Sequence, residues 1–174
     1  MADKAYLILE DGSVFQGESF GAKTLGSGEV VFNTSMTGYQ EVLTDPSYAG
    51  QIVNLTYPIV GNYGINENDM ESSRIRVSGL IVREHCEEPS HIASQRTLNQ
   101  FLIDYNVPGI SGVDTRAVTR RLRSAGVMMG MITTDEPESA LRILETTPRY
   151  DNLDLVDGVS TTQIYDWTVP SLNP

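Results

Sequence analysis

One cysteine, Cys86, and one tryptophan, Trp167, stand among the 174 residues. A single thiol excludes an internal disulfide framework and any zinc site built on several cysteines. Histidine is nearly as scarce, with His85 and His91 alone. Basic residues are few: twelve Lys+Arg face twenty-three Asp+Glu, a formal charge of −11. That balance opposes non-specific attraction to nucleic acid or anionic membrane, so neither is expected as a partner, although a local basic patch stays open. Long apolar runs are missing too. Tyr6–Leu9 and Gly126–Ile132 fall far short of the ~18 residues a membrane span needs. The N-terminus has acids on both sides of its short apolar stretch, unlike a signal or transit peptide. A soluble, cytoplasmic protein is expected. Two Asn-x-Ser/Thr sequons, at Asn33 and Asn54, then read as chance matches.

What is present is ordinary globular composition, 40% hydrophobic and 20% charged, at the length of about one domain. Residues 5–10 and 13–20 read as strands joined at Asp11-Gly12, a hairpin signal of the type I′ kind. Leu25-Gly26-Ser27-Gly28 leads to a third strand at 29–33. Thr37–Tyr48, punctuated by Gly38, Asp45 and Pro46, reads as a helical turn and a tight loop. Strand pattern returns at 51–57 and 74–84, around a long polar stretch from Pro58 to Ser73.

The second half alternates helix and strand. Thr97 to Gln100 spells a capping box, and Leu98, Phe101, Leu102 and Tyr105 then share a helical face. A strand is expected at 109–113, followed by a helix at 115–124 behind Asp114. A buried strand at 127–133 and a helix opened by Asp135 complete the pattern. After Thr146 it fades to an extended tail, with one strand-like stretch near Val159–Trp167. No internal repeat occurs. The order suggests a mixed α/β domain over residues 1–150, two sheets sharing a core with helices on one face, and an extension over 151–174.

Several motifs fail on chemistry. Gly17 to Thr24 nearly spells a phosphate loop, but Ala22 stands where glycine belongs and the segment runs into a strand instead of a helix. Asn66–Glu71 is rich in oxygen ligands, yet the sixth and twelfth positions hold Glu71 and Val77 where a calcium loop needs glycine and a bidentate Glu. His85, Cys86 and His91 match no standard metal spacing. His85 and Cys86 also point to opposite faces of a strand, so a thiol–base pair is not expected. No metal site is expected. Arg116, Arg120, Arg121 and Arg123 crowd one helix; they form either a solvated face partnering the protein's own acids or a docking surface.

Residues 29–64 are less generic. Glu29-Val-Val-Phe-Asn-Thr-Ser-Met-Thr-Gly-Tyr-Gln-Glu-Val-Leu-Thr-Asp-Pro-Ser-Tyr48, with Gln51-Ile52, Tyr57-Pro58 and Gly61-Asn62-Tyr63-Gly64, resembles the small chain of glutamine-hydrolysing carbamoyl-phosphate synthase, in its N-terminal domain. The likeness extends to Leu9–Gly12, Gly79–Arg83, Val113–Arg116 and Thr119–Arg123. It implies a swivelling β/β/α domain: a central sheet, a second antiparallel sheet and helices on one side. In that family a class I glutamine amidotransferase domain follows, with a cysteine nucleophile on a Gly-x-Cys-x-Gly turn and a His–Glu pair. None of these is in the present sequence, which stops at Pro174 where the linker would begin. An excised domain or truncated product, inactive alone toward glutamine, is expected.

The resemblance also implies the site and partners. Ser47, the serine of Asp-Pro-Ser-Tyr, would lie at the glutamine pocket across the domain boundary. A hydroxyl that donates and accepts suits zwitterionic glutamine; the plainer role for Ser47 is capping its turn. Ammonia from glutamine would pass to the large chain, which uses bicarbonate, ATP and Mg to make carbamoyl phosphate for pyrimidine and arginine synthesis. No cofactor is implied on this chain. Met36, Tyr39 and Tyr48 are candidates for the large-chain interface, since Tyr and Met are enriched at interface centres; they could equally fill the core. The alternative is a free-standing binding or scaffold module that keeps the fold without the reaction. A third arrangement is one large fused polypeptide. The coding sequence past Pro174 separates these.

Overall fold

The computed structural model describes residues 3–161 and 163–164. Nine strands are described: β1 (Lys4–Leu9), β2 (Val14–Gly21), β3 (Gly26–Asn33), β4 (Ile52–Leu55), β5 (Ile59–Val60), β6 (Gly79–Ile81), β7 (Glu84–His85), β8 (Pro108–Ser111) and β9 (Met128–Thr133). The described helices are α1 (Tyr39–Thr44), α2 (Leu98–Asp104), α3 (Thr115–Ala125), α4 (Pro137–Thr146) and α5 (Val156–Val159), with 3₁₀ turns at Pro46–Tyr48 and Tyr150–Asn152. None of these helices is long and apolar enough to cross a membrane.

Seven strands close into a barrel in the order β1-β2-β8-β6-β4-β3-β9. β3, β4, β6 and β8 run parallel; the other pairings are antiparallel. Because successive side chains point to opposite faces, the pleat sorts apolar residues into separate clusters. Leu7 and Leu9 of β1, Val30, Ile52, Ile81, Ile110 and Ile132 share one cluster, joined by Val118 and Leu122 of α3. Their alternates form two others. Val53 and Leu80 pack with Leu98 and Phe101 of α2 and with Leu43 of α1. Ile8, Met129 and Met131 pack with Ala140 and Leu144 of α4.

This arrangement corrects two expectations. The second sheet, β5 with β7, is parallel and two-stranded instead of antiparallel. β5 continues from β4 and β7 from β6, and those parent strands run parallel, so their extensions do too. Nor do the helices share one face. A barrel whose strands are apolar on both sides has more than one outer surface to cover, and α2 and α4 cover different ones.

Smaller differences have local causes. Only Gly12 of the Asp11-Gly12 pair takes positive φ. Leu9 N–H donates to the Ser13 carbonyl (2.9 Å), so the hairpin has a three-residue loop with glycine at the left-handed position, not a type I′ turn. Thr97 caps α2 by accepting from Gln100 N–H (3.1 Å), while the Gln100 amide turns forward to Asp104 (2.7 Å). Helix α4 opens from Glu136 without a side-chain cap, because Asp135 is drawn back by its N–H bond to Thr133 Oγ1. Asp114 caps α3 as expected, accepting from Ala117 N–H at 2.9 Å. The strand-like stretch near 159–167 is not a strand where it is described: Val159 ends α5, and residues 160, 161, 163 and 164 form bends and irregular backbone; the rest of the stretch lies outside the described residues.

Candidate functional site

The segment 34–50 is held by the polar stretch 61–76. Helix α1 has no side-chain cap from its own N-cap residue, Gly38. The Tyr63 hydroxyl supplies one instead, accepting from the N–H groups of Gly38 (2.8 Å) and Tyr39 (3.2 Å). The two tyrosine rings stack at 4.2 Å, and the Tyr39 hydroxyl donates to the Gly64 carbonyl at 2.6 Å. Burial pushes the Tyr39 phenol far above its ordinary value, with Tyr63 adding to the effect. Burial also raises Tyr63, against the pull of the two N–H groups it accepts. Both stay neutral at physiological pH. The two segments Thr37–Tyr48 and Gly61–Gly64, separate in sequence, are thus one unit.

Gln40 and Thr44 extend it. Gln40 is fully buried; its amide bonds both backbone groups of Asn66. The Thr44 hydroxyl donates to Gln40 O and accepts from Glu71 N–H (both 2.9 Å), and Ser72 Oγ donates to Thr44 O (2.6 Å). The polar stretch is therefore an ordered buttress beneath α1.

Beyond α1 comes the Ser47 turn. The Asp45 carboxylate accepts from Ser47 N–H at 2.8 Å, and Pro46 fixes the first 3₁₀ position. Asp45, not Ser47, therefore caps the turn. Ser47 is exposed, and among the described residues its hydroxyl has no hydrogen-bond partner. Gly50 follows at φ +73°, a conformation that favours glycine. A Cβ on Gly28 of β3 would strike the Gly50 carbonyl, so the turn lies directly on the barrel backbone.

The three interface candidates fall differently. Met36 is 73% exposed, Tyr48 is partly buried and Tyr39 is only 5% exposed. Tyr48 accepts from Asn33 Nδ2 at 3.0 Å. Met36 borders a shallow groove with Tyr57 and Ile59, which are 40% and 43% exposed. Sequence reasoning missed these two as surface residues. Their signal was an apolar pair flanking Pro58 at the start of a polar stretch.

Of the remaining candidates, Cys86 borders this unit, its N–H donating to Val60 O (2.8 Å) and its carbonyl lying beside Gly61, whereas His85 and the helix arginines share no hydrogen bond with it among the described residues. His85 lies flat on Phe20 (centroids 4.4 Å apart), and burial lowers its pKa. The Cys86 thiol donates to the Glu88 carbonyl (3.3 Å). Of the four helix arginines, all exposed, Arg121 pairs with Asp11 of the first hairpin. Asn54 is fully buried, donating to Thr115 O and Thr119 Oγ1 (both 3.0 Å), which rules out its glycosylation in the folded chain. No group of three or more His, Cys, Asp or Glu side chains able to hold a metal ion occurs among the described residues.

Comparison with known proteins identifies the family. Residues 7–132 match the family model "Carbamoyl-phosphate synthase small chain, CPSase domain". The carbamoyl phosphate synthase small chain of Solidesulfovibrio magneticus is 49% identical over 173 residues, 98% of this chain and 46% of that protein. That of Fusobacterium nucleatum is 59% identical over 126 residues, covering 72% and 35%. That of a Synechocystis species is 48% identical over 169 residues, covering 96% and 44%. The chain spans less than half the length of these relatives. Taken with the match across both halves of the α1 unit, this chain belongs to the carbamoyl-phosphate synthase small-chain family and carries its N-terminal CPSase domain.

Proposed function

We propose that this domain docks the large chain of carbamoyl-phosphate synthase and contributes Ser47 to a glutamine pocket completed by the amidotransferase domain of the same subunit. The reading rests on one observation: Ser47 is exposed with an unused hydroxyl, on a turn already capped by Asp45 and stiffened by Pro46. A polar group held rigid in advance loses little entropy when it binds a ligand.

In this scheme the glutamine amide is cleaved by the amidotransferase cysteine, and ammonia travels enclosed to the large chain. Enclosure keeps ammonia unprotonated and therefore nucleophilic. The large chain uses ATP and Mg; this domain needs no cofactor. It performs no hydrolysis alone, since its thiol, Cys86, lies outside the Ser47 unit and is engaged with Glu88 O. The complex works in the cytoplasm and feeds pyrimidine and arginine synthesis. Met36 and Tyr48 contribute surface to the large-chain contact; Tyr39 supports it from beneath through the backbone it anchors.

The assembled enzyme carrying Ser47→Ala tests the glutamine role. Losing a hydrogen bond to a charged ligand raises the glutamine KM about ten- to a hundredfold, while ammonia-dependent synthesis stays near wild type. Equal losses with glutamine and ammonia would assign Ser47 to structure or docking instead.

A further inference from the structure

Beyond α4 the chain doubles back and crosses the Ser47 turn. Tyr150 packs its ring on the cluster of Ile8, Met129 and Leu144. Its hydroxyl donates to the carbonyl of Ala49, two residues past Ser47, at 2.9 Å. The Leu155 side chain then faces Gly50. Farther on, the Gly158 carbonyl accepts from Arg76 Nη1 at 2.9 Å.

Arg76 ties this together. Its backbone N–H donates to Leu43 O (2.8 Å), before the turn, and its carbonyl accepts from Gly50 N–H (3.1 Å), after it. Its Nε donates to Ser72 Oγ (2.8 Å) within the buttress of α1. One residue thus touches both flanks of the Ser47 turn, the buttress beneath and the returning chain above.

We infer that residues 149–160 form a strap that sets the position of Ser47, with Tyr150 and Leu155 as positioning residues for glutamine binding. The inference rests on the assignment of Ser47 to the glutamine pocket. Ser47 itself has only its backbone tied within the turn, by Asp45. Displacement of the turn as a body is resisted where Ala49 and Gly50 meet the strap. Without the Tyr150 hydroxyl the turn gains freedom, and glutamine binding has to remove that freedom at a cost in affinity. Synthesis from ammonia, which bypasses the glutamine pocket, does not feel the change.

The test uses the whole subunit, amidotransferase domain included, assembled with the large chain. Tyr150→Phe removes one hydroxyl and keeps the ring in its cluster. The glutamine KM rises about three- to tenfold, the range one net hydrogen bond covers, with kcat and ammonia-dependent synthesis unchanged. Leu155→Ala acts in the same direction. In a Ser47→Ala background, Tyr150→Phe adds little, because it works through that hydroxyl. A KM unchanged in both strap variants overturns the inference. So does a full additive effect on top of Ser47→Ala, or a parallel fall of the glutamine and ammonia rates. Should Ser47→Ala alone leave the glutamine KM unchanged, the pocket assignment fails and the strap inference falls with it. Sensitivity to Ser47 combined with insensitivity to Tyr150 and Leu155 sinks the strap alone.

Discussion

Gln40 binds both backbone groups of Asn66 with the two ends of one amide: its Nε2 donates to the Asn66 carbonyl, and its Oε1 accepts from the Asn66 N–H at 2.9 Å. The pair is buried, and it joins α1 to a loop 26 residues away in sequence. The amide offers a donor and an acceptor side by side without charge.

Gln40→Met therefore keeps the volume and leaves two buried backbone groups unpaired. At ~1–3 kcal/mol for each unsatisfied group, denaturant unfolding shows a loss of about 2–6 kcal/mol. Ionised, Gln40→Glu keeps only the N–H bond and adds a buried charge, and protonating it at neutral pH costs free energy, so it does not match wild-type stability there. A loss below about 1 kcal/mol for Gln40→Met would mean that water replaces the amide, and that the buttress is weaker than described.

Acid sensitivity follows from Asp11. Burial opposes its ionised form, yet the bonds from Ser13 and then the Arg121 guanidinium outweigh that and hold the carboxyl below its ordinary range. A carboxyl lowered in the folded state binds fewer protons there than when unfolded, so stability rises with pH across its titration. The contribution is complete above about pH 4 and is lost as pH falls through the folded value. Arg121 is half exposed, which limits the ion pair to no more than about 1 kcal/mol. Melting curves of Asp11→Asn lie below wild type at neutral pH and converge with it in acid. A constant offset at all pH values would exclude this ion pair as the cause.

The fold and site were legible in the sequence to different depths. Short-range signals carried well: the Asp114 cap, the α1 turn before Pro46, and the run of apolar residues in β9 each depend on neighbours within a few positions. Barrel closure was not legible, because strict burial on both faces of β4 and β9 looks the same in an open sheet as in a closed one. The α1 buttress was half legible. Resemblance singled out Tyr39 and Gly61–Gly64 separately, but nothing in the spacing says that Tyr63 caps the helix Tyr39 begins. For the same reason the sequence left Tyr39 open between an interface and the core. An aromatic hydroxyl in a polar segment looks available until its buried partner, Gly64 O, is known.

That this domain serves docking rather than chemistry is tested most directly by the affinity of its subunit for the large chain. Met36→Glu puts a charge on the most exposed apolar residue beside Tyr57 and Ile59. A desolvated charge at an interface centre costs well over 1 kcal/mol, so the dissociation constant rises about tenfold or more. The melting temperature of the free subunit stays the same, since Met36 touches solvent on most of its surface. An unchanged dissociation constant, or a loss of affinity that only mirrors a loss of folding, would contradict the account.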